Sequence, residues 1–262
     1  MARYLRLLGI QLRASAAVAM QYRVDFLVSG GLALFWTGWS LVPLLVVFGR
    51  RAGVAGWSFE EALVVIGWFM VMKGVLEGAV NPSLASVVEH IRKGTLDFVL
   101  LKPADAQFLV STQKFQPWRI VDVLAGLCVF AVAFHRLGRW PEPAHVAAAL
   151  LLLGCAALIL YSIWILVVSA AFFVVKVDNL SFLFVSILDA ARWPAAVFTG
   201  FWRFVFTVVI PLALMTTLPA EAMLGWIRPG AVLLALVGSL AFVASARVVW
   251  LRAIARYTSA SS

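Results

Sequence analysis

Residues 146–175 read VAAALLLLGCAALILYSIWILVVSAAFFVV, thirty consecutive positions without a charged side chain. As an α-helix this run is about 45 Å long at 1.5 Å per residue. Crossing a hydrocarbon core of roughly 30 Å takes about 20 residues. The stretch is therefore a membrane span with length to spare for tilt. It shows none of the short alternating pattern of a membrane β-strand. The rest of the chain agrees with it. Of 262 residues, 64% are hydrophobic and 13% charged, against roughly 45–50% and about 25% in soluble domains. Disorder is excluded by the apolar content. A disulfide scaffold is excluded because the two cysteines, Cys128 and Cys155, each lie inside an apolar run. The expected fold is an all-α integral membrane protein, one transmembrane domain over residues 1–262.

Working outward, the spans fall at about 24–48, 59–80, 117–137, 146–175, 198–217 and 230–250. Residues 1–22 alternate Arg3, Arg6 and Arg13 with Tyr4, Leu5, Leu7, Leu8, Ile10 and Leu12, the pattern of an amphipathic helix lying in the membrane interface. They lack the core and cleavage site of a signal peptide. Pro43 is placed to kink the first span. Residues 176–215 exceed one crossing, and Arg192-Trp193-Pro194 is the natural joint. Before it, Asp178, Ser181, Asp189 and Arg192 fall on one stripe, and the piece 180–193 reads as an interfacial helix or as the wet inner half of a bent helix. Leu218–Trp226 is too short to cross. Pro219 suits a first helical position, Glu221 a first turn and Gly225 a stop, giving a short helix at the far face.

Six spans return both termini to one side. Of 21 Lys and Arg, 15 fall on that side, 5 on the other, and Lys73 lies inside the second span. Positive charge stays inside, so both termini and the long polar stretch 81–116 are expected in the cytoplasm. The net charge of +9 is accounted for by this asymmetry and by attraction to membrane lipid. No nucleic-acid recognition motif accompanies it.

Catalytic constellations are missing from the sequence: there is no HExxH, paired CxxC, GxSxG or GxxxxGK[ST]. His135 and His145, ten apart, are a weak metal pattern. The chain is expected to be non-catalytic and to bind no cofactor. The intramembrane charges Lys73 and Glu77, four apart, are expected to pair on one helical face. They are functional candidates by their cost, and a structural pair near the inner boundary is the alternative. Arg119 and Asp122 read as an anchoring pair. Trp57, Trp140, Trp226 and Trp250 sit at span ends, as an aromatic belt requires. Trp36, Trp39, Trp164 and Trp202 lie elsewhere, and of these Trp36, Trp39 and Trp202 join Lys73 and Glu77 as candidates for a substrate path.

The stretch 83–93, SLASVVEHIRK, reads as a short amphipathic helix. Ser83 is its expected cap and Gly94 its left-handed stop. Leu84, Val87, Val88 and Ile91 make one side; Glu89, Arg92 and Lys93 the other. Such a helix can dock in a partner's groove or rest on lipid.

The run Ile91-Arg92-Lys93-Gly94-Thr95-Leu96-Asp97-Phe98-Val99-Leu100-Leu101-Lys102-Pro103 resembles the cytoplasmic loop of ABC-2 type transporter permeases of the bacterial six-span subgroup. Asn81-Pro82-Ser83, Arg192-Trp193-Pro194, Ile210-Pro211 and Leu218-Pro219 are similar to the same subgroup, in the same order and spacing. The resemblance implies the membrane half of an ATP-binding cassette exporter in a bacterial plasma membrane. Two permeases, identical or related, pair with two ATPase subunits, which hold the ATP and Mg. It implies that residues 83–93 are the coupling helix, with Ser83, Val87, Glu89, His90, Arg92 and Lys93 toward the ATPase. It leaves the substrate open. An ion-driven secondary transporter would carry inverted repeats, and the two halves show no convincing similarity. A lipid-modifying enzyme would need a cluster of His, Asp or Glu at one depth, which the sequence does not display.

Overall fold

The computed structural model describes residues 2–50, 53–170, 172, 189–206 and 212–256. Lys176, Asp178, Ser181, Ile210-Pro211 and the end of the fourth predicted span lie outside these. Among the described residues, five helical stretches are long and apolar enough to cross a membrane: Arg23–Phe48, Phe59–Arg92, Pro117–Leu137, Pro143–Ala170 and Pro229–Ala255. The described helices are α1 (Ala2–Gln21), α2 (Arg23–Trp39), α3 (Val42–Phe48), α4 (Phe59–Val75), α5 (Asn81–Arg92), α6 (Asp97–Leu100), α7 (Ala106–Thr112), α8 (Ile120–Leu137), α9 (Pro143–Ala170), α10 (Gly200–Phe204), α11 (Leu218–Met223) and α12 (Pro229–Ala255).

The first span breaks where Pro43 foretold: α2 stops at Trp39 and α3 restarts with the proline in its first turn. A tight turn follows, closed by a Val54–Trp57 bridge with Ala55 and Gly56 at positive φ. Ser58 then opens α4 with a capping box. Its hydroxyl accepts from the Glu61 amide at 3.2 Å, and Glu61 accepts from the Ser58 amide at 2.8 Å.

α4 is the central helix, buried continuously from Ala62 to Met72, whereas α12 buries only scattered residues such as Ala235, Ser239, Ala246 and Trp250. It lies against α8 at glycine contacts. A Cβ on Gly126 would meet the Gly67 carbonyl oxygen at 2.8 Å, and Gly67 faces the Phe130 ring. Small residues at the crossing let the two backbones approach. α9 runs beside α12 and α11, burying Leu152, Ile159, Leu160, Ile165 and Val168. α12 turns Leu233, Leu234, Val237 and Leu240 outward, as a lipid-facing helix does.

Residues 83–93 are not a separate helix. α4 runs through a π-helical segment, Leu76–Val80, directly into α5. Ser83 therefore caps nothing. It is fully buried, and its hydroxyl donates to the Lys114 carbonyl at 2.7 Å while accepting the Lys114 amide at 3.0 Å. The reason lies one residue earlier. Pro82 lacks an amide donor and its ring crowds the preceding turn; i→i+5 pairing just before it widens the helix enough to continue. The same device recurs at Ala213–Thr217, ahead of Pro219 at the start of α11. The expected stops hold. Gly94 has φ +65, with the Thr95 amide bonded to the His90 carbonyl, and Gly225 has φ +81, with Trp226 bonded to Glu221.

The joint at Arg192-Trp193-Pro194 is present: a 3₁₀ turn ends at Arg192 and Pro194 is extended. Of the predicted interfacial piece only Asp189–Trp193 is described. Within the predicted fifth span, 198–206 and 212–217 are described; they include α10, which starts at Gly200 rather than Phe198, and the π segment leading to α11. Two of the four span-end tryptophans depart from the belt. Trp57 is buried against Trp226, ring centroids 5.3 Å apart, and Trp250 is fully buried beside Phe172. Trp164 is also interior.

Candidate functional site

A groove of about 640 Å³ opens between α2, α4, the start of the third span and the Asp189–Arg192 turn. Four of the five predicted path residues meet there: Trp36 and Trp39 from α2, Lys73 from α4, and Glu77 from the π segment. The fifth, Trp202, is not among the residues around it. It lies on α10, stacked on Phe206 at 5.7 Å. Trp36 and Trp39 stand on the rim, 57% and 56% exposed.

The charges inside pair differently from expectation. Lys73 and Glu77 do not bond to each other. The π segment begins at Leu76, between them, so the i,i+4 register of a regular α-helix does not hold there. Glu77 pairs instead with the Arg119 guanidinium. Arg119 also reaches Asp122 at 3.2 Å, and the second oxygen of Asp122, a fully buried carboxylate, accepts the Thr37 hydroxyl. One arginine thus joins the second and third spans, and through Asp122 the first. The Nε of Arg119 is buried with no hydrogen-bond partner among the described residues. Arg192 is held by Asp189 at 3.1 Å and lies over the Phe69 ring at 5.7 Å. Lys73 has no carboxylate within 4 Å among the described residues.

At the other end of α4–α5, Ser83 and Val87 are buried by the chain's own residues, whereas Glu89, Arg92 and Lys93 are exposed and His90 is half-buried. Glu89 accepts from Lys93 at 2.6 Å on the surface, and the His90 ring contacts the Thr95 hydroxyl at 2.7 Å. Beyond Gly94 the short α6 presents Phe98, 71% exposed, and Leu101 just after it, 82% exposed. These two apolar side chains, three apart in a polar loop, escaped the sequence reading. Their i,i+3 spacing on one side of a turn was the signal available.

The loop is pinned back onto the bundle. Arg247 of α12 forks onto Asp105, with Nη1 at 3.1 Å, and donates to Gln107 at 2.8 Å. Gln107 donates to the Tyr161 hydroxyl of α9 at 3.0 Å. Asp105 also caps α7 through the Phe108 amide at 3.0 Å. The Arg247 hydrogen bonds hold its carboxyl below the usual range, against a smaller opposing effect of burial. α1 joins the same cluster: Arg3 donates to the Pro103 carbonyl, and the Asp105 amide donates to Tyr4. Sequence reading missed this cluster, because its bonded partners lie as much as 142 positions apart, as Asp105 and Arg247 do.

Several apolar membrane-length helices packed around a partly charged groove define a multi-pass membrane protein. Residues 34–261 match the family described as ABC-2 family transporter protein, and the chain belongs to that family. No curated protein and no solved structure matches it.

Proposed function

We propose that this chain is the permease subunit of an ATP-driven exporter in a bacterial plasma membrane. It works as a pair of permeases with two separate ATPase subunits that bind ATP and Mg. It has six spans, the partly described 198–217 being the fifth, and both termini are cytoplasmic. α1 lies in the inner interface, and the α11 region is a short outer helix. The family supports the transporter reading. The observation that carries the rest is the continuity of α4 and α5. Phe59–Arg92 is 34 residues, about 51 Å of helix at 1.5 Å per residue, well beyond the roughly 30 Å core. The second span is therefore also the rod that reaches the ATPase.

The contact surface in this reading is the end of that rod: Glu89, His90, Arg92 and Lys93, extended by Phe98 and Leu101. Ser83 and Val87 act from inside, fixing the rod to the loop. ATP closure of the ATPase pair displaces the tip, and the Asp105–Arg247 contact passes that displacement to the last span. The groove then changes its access and its affinity for cargo between two states of the bundle.

Phe98→Asp with Leu101→Asp tests this. Both side chains are solvent-exposed, so the bundle stays folded, while the cassette ATPase that co-purifies with the native chain is lost. Charge reversal by Glu89→Arg with Arg92→Glu weakens the same capture. An intact complex with undiminished ATPase activity in both variants would overturn the assignment.

A further inference from the structure

We infer that the groove binds an anionic amphiphile, its acidic head at Lys73 and its apolar body along Trp36 and Trp39. This rests on the permease reading for the movement of the ligand, not for its binding.

A cation inside a span is costly and is ordinarily paired. In this groove the pairing is incomplete among the described residues. Three cations, Lys73, Arg119 and Arg192, face two carboxylates, Glu77 and Asp189. Glu77 is taken by Arg119 and Asp189 by Arg192. Asp122, behind the groove, is fully buried and shared between Arg119 and Thr37. Lys73 shares the groove with Glu77 but has no carboxylate within ion-pair distance among the described residues. Basic pockets between membrane helices take anionic head groups. A cationic ligand in a tryptophan cage would instead meet Lys73, the groove cation with no ion-pair partner among the described residues.

The rim supplies the second half of the chemistry. Trp36 and Trp39 are exposed on the face that also carries Leu32, and Phe35 stacks on Trp39 at 6.1 Å. An apolar rim leading to Lys73, which has no ion-pair partner among the described residues, suits a ligand with a tail, not a soluble anion. The volume, about 640 Å³, lies in the range of roughly 300–1,000 Å³ found for small-molecule sites.

The test uses the purified full chain in phosphatidylcholine nanodiscs doped with brominated phosphatidylglycerol or, at equal content, brominated phosphatidylcholine. Tryptophan quenching is read, and the groove's share is the part lost in Trp36→Phe with Trp39→Phe. The acidic probe is expected to quench that share preferentially. Lys73→Gln lowers the preference about fivefold, the effect of one basic residue on an acidic lipid, and Lys73→Arg restores it. A single-chain cationic surfactant is expected not to compete. Equal quenching by both brominated lipids, an unchanged Lys73→Gln, or competition by the cation overturns the inference. A second arm, with labelled phosphatidylglycerol in vesicles carrying the chain and its ATPase, separates the two sources. ATP-dependent movement marks cargo; binding without movement marks a resident lipid; both support the site. The quenching needs no ATPase, so its failure is distinct from loss of ATPase capture by the tip variants.

Discussion

A carboxylate with no solvent contact among apolar helices survives only with partners on both oxygens, and Asp122 has them in Arg119 and Thr37. Arg119 in turn carries Glu77. Arg119→Leu strands two carboxylates at once. Breaking a buried pair from one side costs about 3–5 kcal/mol, so the detergent-solubilised variant should show a markedly lower thermal midpoint. Glu77→Gln, which leaves Asp122 paired, should lose less. The Arg119–Asp122 pair was legible from its three-residue spacing. Its link to Glu77 was not, yet one inference was open: two spans joined by one loop bring their loop-proximal ends to the same depth, and Glu77 and Arg119 flank the loop 81–116 on its two sides.

Among the elements, α4 and α8 show how close packing sets the scaffold for the groove. Gly126 has no room for a side chain, since its Cβ would sit 2.8 Å from a backbone oxygen that cannot move alone, whereas Gly154 in α9 faces open space. Gly126→Leu is expected to destabilise by at least the roughly 1–3 kcal/mol of an overpacked core. Gly154→Ala is expected to be neutral or mildly stabilising, as alanine favours helix. Thermal unfolding of the two variants side by side checks the contrast. At this scale hydrophobic runs and punctuation were readable: Pro43, Gly94 and Gly225 each mark an observed break or stop. The π segments before Pro82 and Pro219 were not, because a proline announces a disturbance without saying whether the helix ends, kinks or widens to continue.

At the scale of the whole molecule, the Asp105–Arg247 contact ties the loop to the last span, with α1 and α9 joined to the same cluster. Folding lowers the Asp105 carboxyl below its ordinary value of 3.8. The stability it adds is present in full above that value and is lost as pH falls through the lower folded value. Asp105→Asn should therefore remove part of the acid limb of the stability-against-pH curve while leaving its shape above pH 5 unchanged. Measuring the thermal midpoint from pH 3 to 7 for both proteins tests the sign. A native curve no steeper at the acid end than the variant's would contradict it.

The sequence by itself determined the solvent this chain folds in and the family it resembles. Both follow from local quantities, the length of charge-free runs and the order of proline and glycine breaks, which bilayer thickness and backbone geometry convert directly into helices. Only the tertiary structure decided who pairs with whom. Glu77 went to Arg119 and Asp105 to Arg247, and Ser83 turned inward while Phe98 and Leu101 turned out. Such partners lie tens to more than a hundred residues apart, and their meeting depends on helix rotation, which a single π turn resets for everything beyond it.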